Sequence, residues 1–356
     1  MWRFLFFALL LTSCLERPNT VRVVSQQFLP VNYSQSFTLA SNDSEFQVNY
    51  LLANDTQYGP VFKKARLPKR IVVLSSVFAG FIEALNASHC IIGVDRIAYY
   101  SHPDLINAFK KQQIVELGEE SQLNEQLLYD LKPDLIVSSS ALLKQTALME
   151  RCKQANIPIL VCDNYLEQDP LARAEWIKVF GCVLGKTQAA NNLFDTVAFN
   201  YNALKQQNQL LNIKPKVLTD ALYSDAWNVP GGKSYTAQLI EDAGGEYIFK
   251  AFNQRFSYAF NLEKVITLAS DADIWINMNR YASKQALLAA DSRYQVFKAF
   301  QSGQLFNNHK RELPSGANDF WETGPVRPDW VLNDLTWIMA HPNISTDKLF
   351  FYQKLE

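Results

Sequence analysis

The chain has 356 residues, 48% of them hydrophobic and 13% aromatic, with a formal net charge of −1. That length exceeds what a single compact core usually serves, so at least two lobes are expected. The balanced charge leaves no basic footprint of the kind that polyphosphate binding requires, which argues against nucleic acid as a partner.

Arg3 precedes an apolar run, Phe4 to Leu11, that leads into Thr12-Ser13-Cys14. The run is shorter than the roughly 20 apolar residues of a membrane-spanning helix, so it reads as a removable export signal. It resembles a bacterial lipoprotein signal, and that likeness implies cleavage before Cys14 and lipidation of its thiol; an ordinary secretory peptide is the alternative. The richest later runs, Ile71 to Val77 and Ile274 to Met278, are strand-sized. The membrane is therefore expected to be met through lipid only.

Residues 15–67 are rich in Ser, Asn and Gln, with short alternating stretches such as Phe46 to Leu52, which predicts a tether followed by a few β-strands. From residue 68 onward apolar runs alternate with helical segments, an α/β pattern. Within residues 68–170, strands are predicted near Arg70 to Ser76, Ile91 to Asp95, Ile114 to Leu117, Leu135 to Ser138 and Ile159 to Cys162. A helix is predicted through Phe81, Ile82 and Leu85, and a helix end at Lys132-Pro133-Asp134. Continuous apolar strands of this kind belong to a parallel sheet covered on both faces.

Residues 171–212 carry no strand signal. Leu193, Val197, Tyr201 and Leu204 mark one face of a helix from Lys186 to Gln207, about 22 residues and roughly 33 Å long. Residues 213–356 return to α/β character, with strands expected at Lys216 to Ala221, Tyr247 to Phe249 and Ile274 to Met278, and helices at Ser234 to Ala243 and Leu262 to Ala269. The expected fold class is α/β: two parallel-sheet lobes joined by one long bridging α-helix, with a short β-rich N-terminal extension.

Cys90, Cys152, Cys162 and Cys182 sit among apolar neighbours. Buried free thiols are expected, with disulfides as the alternative in an oxidising compartment. His89, His102, His309 and His341 show no metal-binding spacing, so no metal site is assigned. Gly231-Gly232-Lys233-Ser234 is not a phosphate loop, because Trp227 stands where its first glycine belongs; it reads as a turn with Ser234 capping the next helix.

Several motifs occur in an order that resembles one family. They are Arg70 to Ser76 leading to Glu83-Ala84-Leu85 and Ile92-Gly93-Val94-Asp95, then LLYDLKPD at Leu127 to Asp134, then Ala243-Gly244-Gly245-Glu246-Tyr247-Ile248-Phe249. Together they resemble the helical-backbone (class III) periplasmic binding proteins of ABC importers for iron-siderophores, haem and cobalamin. The likeness runs from Pro68 to Asn308, with Tyr247 where the family signature has Asn. WNVPGG at Trp227 to Gly232, AEWIK at Ala174 to Lys178 and NDFWETG at Asn318 to Gly324 resemble a subgroup common in Bacteroidetes-type bacteria.

The resemblance implies a monomeric, non-enzymatic, lipid-anchored protein of the periplasm with no cofactor of its own. Its ligand would be a small-molecule metal chelate such as a ferric siderophore, haem or cobalamin, delivered to an ABC importer permease dimer and its cytoplasmic ATPase. It also implies one docking glutamate per lobe, Glu83 and Glu246, for arginines of the permease; a solvated surface carboxylate is the plainer reading of each.

Open α/β sheets bind ligands outside the carboxyl ends of their strands. That rule nominates Ser75, Ser76, Tyr99, Tyr100, Ser139 and Tyr165 in the first lobe, and Trp227, Asn228, Lys233, Tyr235, Asn279 and Arg280 in the second. Trp227 and Trp321, in loop-like sequence, are open between cleft and local packing, whereas Trp176, Trp275 and Trp337 stand among core-like neighbours. Two other functions stay in play: a ligand-capture lipoprotein without its own permease, and an exported α/β hydrolase, for which no G-x-S-x-G elbow is present.

Overall fold

The computed structural model describes residues 27–52, 55–211, 214–341 and 345–356. The export signal, Cys14 and the tether up to residue 26 lie outside the described residues.

The extension is an antiparallel meander of β1 (Gln27–Leu29), β2 (Phe37–Ser41), β3 (Glu45–Leu52) and β4 (Asp55–Lys63). The first lobe follows, with β5 (Ile71–Val73), α1 (Ser76–Ala84), β6 (Ile91–Val94), α2 (Pro103–Lys110), β7 (Val115–Glu116), α3 (Glu125–Leu131), β8 (Leu135–Ser138), α4 (Thr146–Gln154) and β9 (Ile159–Val161). Its strands form a parallel sheet in the order β7-β6-β5-β8-β9. The apolar run of β5 is explained by the two cores it serves. Ile71 and Val73 join the main core, while Val72 joins a smaller one with Leu128, Ile136 and Leu148, as both-face coverage demands. Ser75 caps α1, and Lys132 ends α3 in a left-handed conformation at φ 47° just before Pro133.

Two short helices, α5 (Pro170–Glu175) and α6 (Ile177–Val183), lead into the bridging helix α7 (Thr187–Gln209). Its 23 residues span roughly 34 Å. The buried stripe is Ala190, Phe194, Val197, Ala198 and Tyr201, with Leu193 and Leu204 at its margins.

The second lobe contains β10 (Lys216–Thr219), β11 (Leu222–Tyr223), β12 (Ala226–Val229), α8 (Tyr235–Asp242), β13 (Glu246–Tyr247), β14 (Tyr258–Phe260), α9 (Leu262–Ala269), β15 (Ile274–Ile276), α10 (Lys284–Ala290), α11 (Lys298–Ser302), β16 (Leu305–Asn307), α12 (Asp319–Glu322), α13 (Pro328–Ala340) and β17 (Gln353–Lys354). Its main sheet runs β13-β10-β15-β16-β17, parallel except for β17. A small antiparallel sheet, β11-β12-β14, stands beside it. One continuous apolar core reaches from Phe37 in the extension through α7 to Leu355. All four cysteines of the described residues are buried free thiols.

The extension is held by the interlobe segment. The fully buried Glu175 carboxylate accepts hydrogen bonds from the backbone N–H groups of Asn32, Tyr33 and Ser34 at 2.7 to 2.9 Å and from Lys178 Nζ at 2.7 Å. Lys178 also donates to Pro30 O at 3.0 Å, so the pair is fully engaged. Removing one member of such a pair strands the other charge and three donors. Glu175→Ala is therefore expected to cost about 3 to 5 kcal/mol of stability, read as a lowered midpoint in denaturant unfolding, whereas a change below about 1 kcal/mol would show that water replaces the carboxylate.

Candidate ligand cleft and the adjoining joint

The loops at the carboxyl ends of both sheets form the candidate site, and connectivity shows which helix ends share that edge. Helix α8 finishes just before β13 starts, and α9 just before β15 starts, so each runs from the carboxyl edge of the sheet to its amino edge. Tyr235 and Glu263, in the first turns of α8 and α9, therefore lie on the carboxyl edge.

In the first lobe, Ser75, Ser76 and Ser139 flank the gap beyond β5 and β8, where the strand order reverses. Ser75 Oγ accepts from Val77 N–H at 3.3 Å and Ser139 Oγ from Ala141 N–H at 3.2 Å. Both hydroxyls cap helical turns, and that of Ser139 also donates to the Glu120 carboxylate at 3.4 Å. Tyr99 is exposed with its hydroxyl on Glu119 at 2.7 Å, and Tyr165 is exposed after β9. Tyr100 departs from the expectation: it is buried, and its hydroxyl donates to Asp95 at 2.7 Å beneath the sheet edge.

In the second lobe Asn279 and Arg280 are exposed beyond β15, and Asn279 Nδ2 donates to Ala221 O at 3.0 Å, tying that loop to the end of β10. With Tyr223, Asp225, Glu263 and Tyr294 they line a cavity of about 490 Å³. Asn228 and Lys233 are exposed, and Ser234 caps α8 by accepting from Ala237 N–H. Trp227 is not a cleft residue. It is fully buried, stacks on Trp275 at 5.5 Å and donates to Thr219 O at 2.8 Å, because β12 turns its alternate side chains onto the lobe core. Trp321 is exposed on α12, edge-on to Phe320.

Two groups to which sequence reasoning gave no place in a site stand out. Arg173, in the last turn of α5, has its guanidinium 4.8 Å from the ring centre of Tyr235. It brings the carboxyl edges of the two lobes together. Its Nε is buried without an acceptor, and burial lowers its pKa. The only sequence signal was one basic residue in the otherwise apolar run Pro170-Leu171-Ala172-Arg173-Ala174. His309, beyond β16, has both ring nitrogens buried without partners, and burial lowers its pKa, favouring the neutral imidazole.

Beside the cleft, α12 of the second lobe packs on α1 of the first. The approach is close enough that a Cβ on Gly80 would lie 2.1 Å from the Glu322 carbonyl oxygen. Glu322 accepts from the N–H and hydroxyl of Ser101, while its Oε1 and the Oε1 of Glu83 are both buried without a hydrogen bond. His102 Nδ1 is 3.5 Å from Glu83, but it accepts from Asp104 N–H and so has no proton there to offer. Burial, then the charge of Glu322, pushes Glu83 up to about 9, and burial pushes Glu322 up to about 7.

Residues 71–312 match the model of the family described as periplasmic binding protein. The chain belongs to that family. It is also similar to an uncharacterized lipoprotein of Methanocaldococcus jannaschii, 28% identical over 83% of this chain and 71% of the relative. Among solved structures, a periplasmic binding protein from Veillonella parvula covers 83% of this chain and 98% of its own at TM-score 0.62 and 14% identity. A periplasmic heme binding protein from Pseudomonas aeruginosa covers 82% and 99% at TM-score 0.61 and 18% identity. These likenesses show the helical-backbone fold, and the archaeal relative carries the resemblance beyond Bacteroidetes-type bacteria. No helix among the described residues is long and apolar enough to cross a membrane.

For a periplasmic binding protein the two glutamates expected to dock are placed unfavourably. The Glu83 side chain is only 7% exposed, being covered by α12. Glu246 is exposed, but it pairs in register with Lys216 at the start of β10, on the sheet edge away from the cleft. Glu263, by contrast, is 66% exposed on the cleft edge, where it pairs with Arg293 at 2.5 Å and shares the cavity with the exposed Asp225.

The acid pair makes the joint pH-dependent. A carboxyl whose folded pKa is raised favours the folded state while protonated, and that contribution fades from the ordinary range near 4.5 up to the raised value. The melting temperature is therefore expected to fall as pH rises from about 5 to about 9. Glu83→Gln, which keeps the neutral shape, should flatten that slope in thermal melts; an unchanged slope would show that the pair does not titrate there.

Proposed function

We propose that this periplasmic binding protein is a lipid-anchored capture component that takes a metal chelate, such as a ferric siderophore, haem or cobalamin, into the interlobe cleft and passes it to an ABC importer permease. The observation that carries this reading is the meeting of the two carboxyl edges at Arg173 and Tyr235, with donors on Ser75, Asn228 and Arg280 that no acceptor takes among the described residues. The heme-binding description of the Pseudomonas aeruginosa neighbour supports the chelate class. The lipoprotein description of the archaeal relative supports an anchor at Cys14 and a place in the periplasm. The protein acts as a monomer and needs no cofactor of its own.

A permease can receive ligand only from the mouth of the cleft, so docking groups belong on its rim. Glu263 takes that role in the second lobe. A second reading, a capture lipoprotein without its own permease, is favoured by the burial of Glu83, which leaves the first lobe without the expected docking carboxylate.

Isothermal calorimetry against haem, cobalamin and ferric siderophores tests the binding reading, with a dissociation constant near or below about 1 μM as the expected result; silence across the panel would overturn the chelate class. Glu263→Ala separates the two readings. An exposed pair is worth about 0 to 1 kcal/mol, so uptake by cells should fall severalfold at limiting ligand with affinity unchanged if a permease docks there. Unchanged uptake supports capture alone.

A further inference from the structure

Resting on the lipid anchor proposed at Cys14, we infer that the basic amino edge of the first lobe is a seat for an anionic membrane surface, on which the anchored molecule lies with its cleft facing away. The near-zero net charge of the chain conceals a segregation. Five of the eight residues from Lys63 to Arg70 are basic, and no Asp or Glu occurs between Asp55 and Glu83. Lys63, Lys64, Arg66, Lys69 and Arg70 are all exposed, as is Lys132 at the end of α3. None of the six makes an ion pair among the described residues. Lys64 Nζ donates to Asn42 O at 2.5 Å and Arg70 Nη2 to Leu131 O at 2.6 Å, but a carbonyl oxygen leaves the charge unneutralised.

The fold gathers these side chains at one end. β4 stops at Lys63 and β5 begins at Ile71, so the run turns from the meander onto the amino edge of the first-lobe sheet. There Lys63, Arg66 and Lys132 line a cavity of about 790 Å³, large enough to admit a phosphate headgroup. Asp134 is the acid of that wall, and its carboxylate accepts from the backbone N–H groups of Lys69 and Arg70. The anchor arrives at the same end. Gln27 pairs with Ser41, Ser41 with Phe46 and Phe46 with Phe62, so the tether joins the fold three strand spacings, about 14 Å, from Phe62. Residues 15–26 separate it from Cys14, and fully extended they reach at most about 47 Å.

Each Lys or Arg brought to an anionic leaflet strengthens the contact about fivefold, and the attraction fades over a Debye length of about 10 Å in 0.1 M salt. The seat is therefore weak and reversible. The cleft loops lie on the opposite, carboxyl edge, so they stay open to ligand while the molecule is seated. A permease in the same membrane is then served only after the molecule lifts off on its tether.

The test is sedimentation with phosphatidylcholine vesicles, with or without about one third phosphatidylglycerol, in about 0.1 M salt. It uses the chain from Leu15 onward, which carries no lipid and keeps every described residue. Binding is expected to the anionic vesicles only, and to vanish in about 1 M salt. Lys63→Gln combined with Arg66→Gln and Lys69→Gln should weaken it at least tenfold, and Lys132→Gln alone about fivefold, with melting temperatures within about 2 °C of wild type. In vesicles carrying the full lipidated chain, Lys63 and Lys69 should react severalfold more slowly with an acylating reagent when the lipid is anionic.

Equal binding to both kinds of vesicle, or equal binding by wild type and the triple variant, would overturn the inference. Capture of soluble polyphosphate without any vesicle binding would overturn the membrane assignment. Mass spectrometry of the exported chain keeps this inference apart from the reading on which it rests. A lipidated Cys14 with no vesicle binding by the unlipidated chain would sink the seat while the proposed anchor stands. Binding to anionic vesicles by a chain whose exported form carries no lipid would sink the anchor and leave the basic seat standing.

Discussion

The Glu175 carboxylate is the constraint from which the rest of the molecule takes its position. It is buried where the first lobe hands over to the bridging helix, and it gathers Lys178 and three backbone N–H groups of the extension onto α5 and α6. A buried pair adds little net stability against an apolar substitute, but it permits only one arrangement of the groups it binds. Here that arrangement seats the meander against the first lobe, with Phe37 on Trp176 at 4.6 Å and the Tyr50 hydroxyl accepting from Val161 N–H at 3.0 Å. The edge strand β9 thereby gains a partner on a side that would otherwise invite another chain. Fixing α5 also fixes Arg173, two residues before Glu175.

From that anchor the two lobes are joined more firmly than one helix alone would achieve. The apolar core is continuous through α7 and α13, and α12 adds a second crossing onto α1 at Gly80, where only a glycine permits the backbone approach. Hinge closure needs a few residues free to absorb large changes in φ and ψ, and a packed crossing on each side of the cleft leaves little room for them. Any motion between the lobes is then confined to small shifts near the rim.

Much of the framework was legible in the sequence because it follows from periodicity. Leu135–Ser138 and Leu262–Ala269 appear at their expected limits, and α7 differs from its expected span by one or two residues at each end. The small sheet β11-β12-β14 was not legible, since strands of two to four residues are too short to show a period of two. In the last part of the second lobe, α10, α11 and α12 were unread because four to seven residues are too few to show a helical period, whereas the 13-residue α13 was missed although its length could have shown one. Trp227 was ambiguous for a definite cause. Its neighbours Asn228 and Pro230 are turn-like, while its own side chain belongs to the inward face of β12.

The site was harder to read than the fold, because its chemistry depends on which charges lack partners, and partnership is a property of three dimensions. Glu83 and Arg173 make the point from opposite sides. Glu83 looked like a surface carboxylate on an amphipathic helix, yet α12, some 240 residues later, covers it with another acid and drives it toward the neutral form. Arg173 drew no reading from the sequence, yet its partly buried guanidinium lies beside the Tyr235 ring with Nε lacking an acceptor among the described residues. An acid can relieve an unpaired charge by binding a proton; arginine has no such escape at physiological pH. The acid pair can therefore be settled by the fold alone, whereas the Arg173 guanidinium keeps its charge, with its Nε shut off from water and without an acceptor among the described residues.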